Sequence, residues 1–244
     1  HPEKKSEIYR LKMTISRLKH AGVDEMIVVT PHSEKMAELC MEFGIKFRAV
    51  DPSHIFAETI STYIAPDERS LIRVYAPDKG SVPRAIALAK ELGSEVMYTS
   101  KLRRQDNKVA IVQESEERIE QMTAEFREKY DFSKIHYAHP RDIEGKIIIM
   151  VEDEVRTGET ARKTADLLKE YQAKSVLFLA THAVLTPGWR KELFSGDYPF
   201  DAFILGNTIP RGYGKSTGGK IHDISVGSLV ANTAYQALRD LSQS

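Results

Sequence analysis

The fold is decided by the stretch Ile147-Ile148-Ile149-Met150-Val151-Glu152-Asp153-Glu154-Val155-Arg156-Thr157-Gly158-Glu159-Thr160. Its first half is apolar and rich in β-branched residues, which is typical of a buried strand. Two acids end this strand, and a Thr/Gly turn follows them. The helix predicted after the turn carries Ala161, Ala165 and Leu168 at helical spacing. The stretch therefore predicts a strand, a turn and a helix of an α/β fold.

The turn in this stretch has the layout of a ligand site. Open α/β sheets bind ligands where a strand feeds a helix at the carboxyl edge of the sheet. The start of a helix offers backbone N–H groups and the positive end of the helix dipole, and the neighbouring acids accept hydroxyl groups. This pattern favours a phosphorylated, polyhydroxylated ligand such as a sugar phosphate. An ordinary strand-to-helix turn with surface acids is the alternative that the pattern leaves open.

Short apolar segments alternate with helical segments along the whole chain, and this alternation favours a mainly parallel sheet with helices on both faces. The predicted strands cover residues 26–29, 71–76, 95–98, 109–112, 147–151, 176–180 and 202–205. The predicted helices cover residues 7–20, 34–43, 82–92, 116–130, 159–171 and 228–241. Residues 65–69 form a predicted turn, and residues 211–220, rich in Gly and Lys, form a predicted loop.

The composition is that of a soluble intracellular enzyme. The 244 residues include 35 Lys and Arg against 35 Asp and Glu, so no global field attracts nucleic acid or a membrane surface. No apolar run approaches the ~20 residues of a membrane span. The single cysteine, Cys40, excludes an internal disulfide and fits a reducing compartment, and its apolar neighbours predict a buried structural thiol. We expect a cytoplasmic protein.

Several segments in fixed order resemble the ribose-phosphate diphosphokinases (PRPP synthetases), which share the type I phosphoribosyltransferase fold. Residues 147–160 look like the family's phosphoribosyl-diphosphate loop, and residues 75–85 are similar to its Ser-Pro-Asp-x-Gly-Gly-x-x-Arg segment. Residues 101–103 resemble the Lys-x-Arg of its catalytic loop. Residues 181–185 match its Thr-His-x-x-Leu segment. The closing strand and helix are matched by residues 207–210 and 223–226.

The resemblance implies two similar phosphoribosyltransferase-like domains. Residues 1–66 would be the remainder of an incomplete N-terminal domain, residues 67–224 the C-terminal domain, and residues 225–244 a helix that returns to the first domain. The family's earlier segment, with its aromatic-Arg-Gln motif for ATP, has no counterpart here. Missing residues and a natural short form are both compatible with this. We expect missing residues, because apolar positions such as Ile15 and Ile27 would otherwise lack cover.

The reaction that the resemblance implies is transfer of a diphosphoryl group from ATP to the anomeric hydroxyl of ribose 5-phosphate, with Mg²⁺ present. Lys101 and Arg103 fall on the catalytic Lys-x-Arg and would supply cations to the phosphates. His32 and Asp78 fall on the family's metal-linked positions. One His and one Asp form a weak Mg²⁺ signature alone, and helix capping is the structural alternative for these turns. The family also implies a homo-oligomer.

The resemblance also assigns roles in the ribose-phosphate site. Glu152 and Asp153 would accept hydrogen bonds from the ribose hydroxyls, for which charged acceptors are suited. The 5-phosphate would be bound by the loop of Thr157, Gly158, Glu159 and Thr160, in which the threonines and the glycine offer hydroxyl and N–H groups.

Departures from the family pattern leave three functions open. Arg156 replaces an acid, Glu159 and Ser81 replace glycines, Thr30 replaces an aspartate, and residues 114–143 add a charged helix. A glutamate beside a dianion is unfavourable. The first hypothesis is a diphosphokinase acting on ribose 5-phosphate. The second is a diphosphokinase for a ribose with a larger 5-substituent. The third is a non-catalytic paralogue that binds nucleotides or regulates a true synthetase.

Overall fold

A computed structural model describes residues 2–100, 102–105, 108–111 and 114–243. The elements, in chain order, are α1 (Pro2–His20), β1 (Glu25–Val29), α2 (Lys35–Glu42), β2 (Lys46–Val50), α3 (Ser53–Ile60), a 3-10 helix (Pro66–Leu71), β3 (Ile72–Ala76), α4 (Val82–Leu92), β4 (Glu95–Tyr98), β5 (Leu102–Gln105), β6 (Lys108–Ile111), α5 (Glu116–Tyr130), β7 (Ile135–Tyr137), α6 (Pro140–Ile143), β8 (Ile147–Val155), α7 (Glu159–Glu170), β9 (Ser175–Ala183), α8 (Trp189–Phe194), β10 (Ala202–Gly206), α9 (Tyr213–Ser216), β11 (Ile221–Ile224) and α10 (Gly227–Ser242).

The chain forms two compact units. Unit 1 comprises His1–Pro52 and Val226–Ser244, and unit 2 comprises Ser53–Ser225. The division falls at residue 52 and not at residue 66 as expected, because α3 packs on α4 and buries Phe56 and Ile60 in the core of unit 2. The expected turn at residues 65–69 belongs mostly to the 3-10 helix.

Unit 1 is built on a pair of parallel strands. β1 and β2 pair with Glu25 opposite Lys46, and α10 packs against both strands. A small core of Ile15, Leu39, Cys40 and Ile45 lies beneath α1 and α2. Cys40 is buried there as a free thiol, and burial raises its pKa, so the prediction of a structural thiol is confirmed.

Unit 2 is a seven-stranded sheet with the strand order β11-β10-β9-β8-β3-β4-β7. All of its neighbouring strands pair in parallel. One apolar core lies between the sheet and α3, α4 and α5, and a second lies between the sheet and α7 and α8. The predicted class, α/β with mainly parallel sheets flanked by helices, is confirmed. β5 and β6 form a separate antiparallel hairpin.

Sequence periodicity located most of the helices and core strands but missed α3 and several shorter elements. The bounds of α4 and α5 are as predicted, because both have an apolar face and clear end signals. β2, β7 and α8 were not predicted, since elements of three to six residues carry too little periodicity. α9 lies within the expected loop at residues 211–220. No helix in the described ranges combines the length and apolar character needed to span a membrane.

β8 is longer than predicted. The apolar run ends at Val151, but pairing with β9 continues to Val155, with Glu154 opposite His182. Polar side chains at the end of a strand conceal its length in the sequence, whereas backbone pairing does not depend on them. The acids therefore lie within the strand, and their side chains alternate between the two faces of the sheet.

Candidate functional site

A cavity of about 250 Å³ opens at the carboxyl edge of the sheet in unit 2, where β8 runs into α7. It lies where the sequence predicted a sugar-phosphate site. The lining comes from the end of β8, from the turn and first residues of α7, and from one ring on β9. Its members are Glu152, Glu154, Val155, Arg156, Thr157, Gly158, Thr160, Ala161 and Phe178.

The two predicted ribose acids do not face the same space. Glu152 lines the cavity, whereas Asp153 is buried outside its lining and accepts the backbone N–H of Glu154 at 2.9 Å. An Nη2 atom of Arg84 lies 3.6 Å from the Asp153 carboxylate. Glu154, one strand repeat beyond Glu152, lines the cavity in its place. The proposed ribose-binding role of Asp153 stays a prediction.

Ser81 connects Glu152 to Asp78. The Ser81 hydroxyl lies 3.0 Å from Glu152 Oε2 and 3.1 Å from Asp78 Oδ1, and the Ser81 backbone N–H donates to Asp78 at 2.9 Å. These contacts form because β3 and β8 are neighbours and α4 begins directly after β3. Asp78, a predicted metal ligand, and Glu152, a predicted ribose ligand, thus both contact Ser81.

Burial and the nearby charge of Asp78 raise the pKa of Glu152 to about 8. The Ser81 hydroxyl has a single proton and cannot donate to two carboxylates at once. Its hydrogen bond to Glu152 acts to lower the pKa of Glu152, but burial and the charge of Asp78 outweigh this effect. A carboxyl whose pKa is raised in this way, at the edge of a cavity, is a mark of a functional site.

The turn before α7 depends on Gly158. This residue has φ +80°, and a Cβ built on it would lie 2.4 Å from a methyl carbon of Leu193 in α8. A side chain at this position would therefore force the buried Leu193 side chain to shift, in addition to the strain of the positive φ. Thr157 Oγ1 accepts the N–H of Glu159 at 3.3 Å, and Thr160 lines the cavity. The start of α7 thus has the form that suits an anion.

Both charged departures in this loop have ion-pair partners. Glu159 Oε1 lies 2.8 Å from Lys163 Nζ, one turn along α7, and Glu159 does not line the cavity. Arg156 does line it, and its Nε lies 2.7 Å from Glu154 Oε1. The like charge that Glu159 was expected to bring toward a phosphate is therefore offset by Lys163.

The predicted catalytic loop is only partly described. Lys101 lies outside the described residues. Arg103 lies in β5, opposite Ala110 of β6, and β6 lies against α7. The backbone of the hairpin thus comes close to the helix that lines the cavity. The catalytic roles of Lys101 and Arg103 stay predictions.

The predicted metal residues lie in different units. Asp78 follows β3 in unit 2, and His32 is exposed after β1 in unit 1. Among the residues that the structure describes, no group of three or more His, Cys, Asp or Glu side chains could hold a metal ion. The pairing of His32 with Asp78 at Mg²⁺ stays a prediction.

Two residues of the site were not singled out from the sequence. Glu154 was detectable, because the side chains of residues i and i+2 of a strand share a face. Arg84 stands one turn into α4, within the segment that resembles the family, and its charge alone gave no sign that it faces Asp153. The Nε of Arg84 is buried without an acceptor among the described residues. An oxygen atom of a bound ligand could accept a hydrogen bond from this N–H group.

Segments 181–185 and 207–210 meet beside β8. His182 Nδ1 lies 2.8 Å from Thr208 Oγ1, and the Thr208 hydroxyl donates to the carbonyl of Thr181 at 3.2 Å. Segments that are far apart in the sequence therefore lie close together at the carboxyl ends of β3, β8, β9 and β10.

Comparison with known proteins agrees with this arrangement. The family model described as "Phosphoribosyl transferase domain" matches residues 53–192, which contain α4, β8 and the turn before α7. The ribose-phosphate pyrophosphokinase of Sulfurisphaera tokodaii is 29% identical over 215 residues, or 88% of this chain and 62% of that protein. The enzyme of the same name from Ralstonia nicotianae is 26% identical over 228 residues, or 93% of this chain and 61% of that protein.

The fold also matches a solved structure. The crystal structure of phosphoribosylpyrophosphate synthetase from Mycobacterium smegmatis aligns with a TM-score of 0.68 and 20% identity. The alignment covers 95% of this chain and 64% of that one. The chain therefore spans less than two thirds of the length of these relatives, and the resemblance noted in the sequence is confirmed over most of the chain.

Proposed function

The chain belongs to the phosphoribosyl transferase domain family, and from this premise we propose that it acts as a ribose-phosphate diphosphokinase. The reaction transfers a diphosphoryl group from ATP to the anomeric hydroxyl of ribose 5-phosphate and gives phosphoribosyl diphosphate and AMP. The relatives named ribose-phosphate pyrophosphokinase support this proposal.

The observation that carries the proposal is the link through Ser81. It holds Asp78 close to Glu152, and Glu152 lines the same cavity as Thr157, Gly158 and Thr160. A ligand in this cavity meets carboxylates at one end and the N–H groups of α7 at the other. A ribose that carries hydroxyl groups and a 5-phosphate matches both ends.

Such a transfer depends on positioning and charge more than on covalent help from the protein. Glu152 would accept a ribose hydroxyl, and the start of α7 would orient the 5-phosphate. The hairpin β5–β6, with Lys101 and Arg103 in and beside it, would bring cations to the ATP phosphates. Arg84, with its buried Nε, would donate to a ligand oxygen.

The donor set around Asp78 fits Mg²⁺. This ion prefers oxygen ligands and is commonly held by one or two carboxylates together with substrate phosphates and waters. Asp78 Oδ1 accepts from Ser81, whose hydroxyl also lies 3.0 Å from Glu152 Oε2, so two carboxyl groups are held near each other. Bound Mg²⁺ would offset the charge on the phosphoryl oxygens. We propose Asp78 as its ligand in unit 2.

The test is AMP release by the purified protein with ATP, Mg²⁺ and ribose 5-phosphate. We expect AMP formation that requires all three components. Lys101→Ala should lower turnover by orders of magnitude, roughly 10²-fold or more, without changing the melting temperature. Failure to form AMP with any ribose phosphate, while nucleotide still binds, would favour the non-catalytic regulatory role.

A second acceptor class has a specific observation in its favour. Arg156 puts a cation at the cavity where the resembled family has an acid, which suits a ribose whose 5-substituent is larger than a phosphate. In either case the proposed setting is the cytoplasm, with the chain in a homo-oligomer.

A further inference from the structure

Glu159 and Arg156 are both charged departures from the family pattern, but they have different surroundings. Glu159 forms an ion pair with Lys163. Glu159 stands on the first turn of α7, and its carboxylate turns along the helix to Lys163. The cavity lining includes Thr157, Gly158 and Thr160 but not Glu159. The glutamate therefore does not determine what enters the cavity, and Arg156 is the changed residue that a ligand would meet.

Among the residues that the structure describes, Arg156 has Glu154 as its ion-pair partner at the cavity. Its Nε lies 2.7 Å from Glu154 Oε1, and its side chain is 69% exposed. A guanidinium has five N–H donors, and those at its far end are separate from Nε. The pair with Glu154 fixes the stem of the side chain and leaves the fork of the guanidinium toward solvent.

The position of Arg156 relative to the turn indicates which part of a ligand it would reach. A 5-phosphate would lie against Gly158 and the first turn of α7. Arg156 and Thr157, which precede Gly158, are exposed, whereas Gly158 is buried. A group that extends from the phosphate toward solvent would therefore pass Arg156. The planar fork of arginine matches two oxygens of a phosphate, whereas the acid of the resembled family would repel them.

We infer that Arg156 is a specificity-determining residue that selects ribose compounds with a diphosphate ester at the 5-position over those with a single phosphate. This inference rests on the proposed function, because it names the acceptor class of the same site. In this arrangement the turn before α7 binds the first phosphate, and the Arg156 guanidinium binds the second.

Binding measurements on the purified protein test this inference. Isothermal titration calorimetry would compare ribose 5-phosphate with ADP-ribose, whose ribose carries a diphosphate at C5. We expect the unchanged protein to bind ADP-ribose about tenfold more tightly. Arg156→Ala should remove this preference and change the affinity for ribose 5-phosphate less than about twofold. Arg156→Asp places an acid at this position, as in the resembled family, and should make ribose 5-phosphate the more tightly bound probe.

Two controls isolate the effect. Arg156→Lys keeps the charge without the fork and should keep part of the preference. Arg69→Ala removes an exposed arginine before β3, at the opposite edge of the sheet, and should leave both affinities unchanged. ADP-ribose carries the same adenine in every variant, so contacts of the adenine cancel when the affinity for ADP-ribose is compared between the unchanged protein and the Arg156 variants.

The outcomes separate this inference from the proposed function. Equal affinity of the unchanged protein for both probes, or an equal loss of both in Arg156→Ala, would overturn the role of Arg156 and leave the proposed function standing. Absence of binding by both probes would overturn the ribose-phosphate site itself, and the inference with it.

Discussion

The two edges of the sheet in unit 2 each have a cavity of about the same size, but the acids at the two edges have different partners. The cavity at the carboxyl edge measures about 250 Å³, and the one at the amino edge about 260 Å³. At the amino edge both acids have lysine partners: Glu68 pairs with Lys174, and Asp201 pairs with Lys169 at 2.7 Å. At the carboxyl edge, Glu152 and Asp78 share a serine hydroxyl.

The electrostatics of the edges differ accordingly. Burial acts to raise the pKa of Asp201, but hydrogen bonds from Lys169 and the Val176 backbone outweigh it, so that this pKa is lowered. Burial and Asp78 raise the pKa of Glu152. Acids that are paired with a cation within the protein stabilise the fold, whereas a buried acid whose pKa stays raised is stabilised by a ligand that supplies donors or charge. Cavity size does not distinguish the two edges, and charge does.

The largest expected effect that tests this difference is that of Gly158→Ala. The new Cβ would meet Leu193 and force φ +80° on a residue that disfavours it, so we expect a loss of about 4 kcal/mol in the free energy of unfolding. Denaturant titration would measure it. Gly188→Ala is the matched control, since φ is +97° there but nothing lies within 4 Å. Equal losses in the two variants would show that packing against Leu193 is not the reason for the glycine.

Glu152→Gln should change how stability depends on pH. The native pKa of Glu152 is about 8 against an ordinary 4.5, so the stability that this group contributes is full below pH 4.5 and is lost as the pH rises through 8. The glutamine of the variant does not titrate, so the stability of the variant does not fall in this way as the pH rises. We expect it to gain on the order of 3 kcal/mol relative to the unchanged protein between pH 4 and pH 9. Thermal unfolding across this range would measure the difference, and parallel curves would contradict the raised pKa.

Asp201→Asn should show the opposite sign. The native pKa of Asp201 is lowered, so its contribution to stability is present above its ordinary 3.8 and is lost as the pH falls through the native value. We expect the variant to lose about 1 kcal/mol at pH 7, where it gives up the charged contact with Lys169, and much less near pH 2. A constant loss at both pH values would mean that the carboxylate charge contributes nothing.

Lys174→Ala should have the smallest effect. The pair with Glu68 is partly exposed, and such pairs contribute little, so we expect a change within about 0.5 kcal/mol. The affinity for ribose 5-phosphate, measured by calorimetry, should not change. A large loss of affinity would mean that the amino edge is coupled to the site at the carboxyl edge.

Part of the site was predictable from local sequence alone. The apolar run of β8, the turn at Thr157 and Gly158, and the helix after it follow from composition and end signals within fourteen neighbouring residues. The pair of Glu159 with Lys163 also follows from its spacing, since residues i and i+4 of a helix are neighbours. The sequence interpretation did not use that spacing, and it assigned Glu159 an effect on the phosphate that its partner offsets.

The sequence by itself determined the α/β class, the position of the turn before α7 and the acids beside it, because the strand and the helix on either side of this turn express their periodicity locally. Only the tertiary structure decided that Asp153 turns to Arg84, that Ser81 joins Asp78 to Glu152, and that a side chain at Gly158 would force Leu193 to shift. Apart from the short-range contact of Ser81 with Asp78, these contacts join residues that are 35 to 71 positions apart. Such contacts form only when parallel strands bring their carboxyl ends to one edge of the sheet.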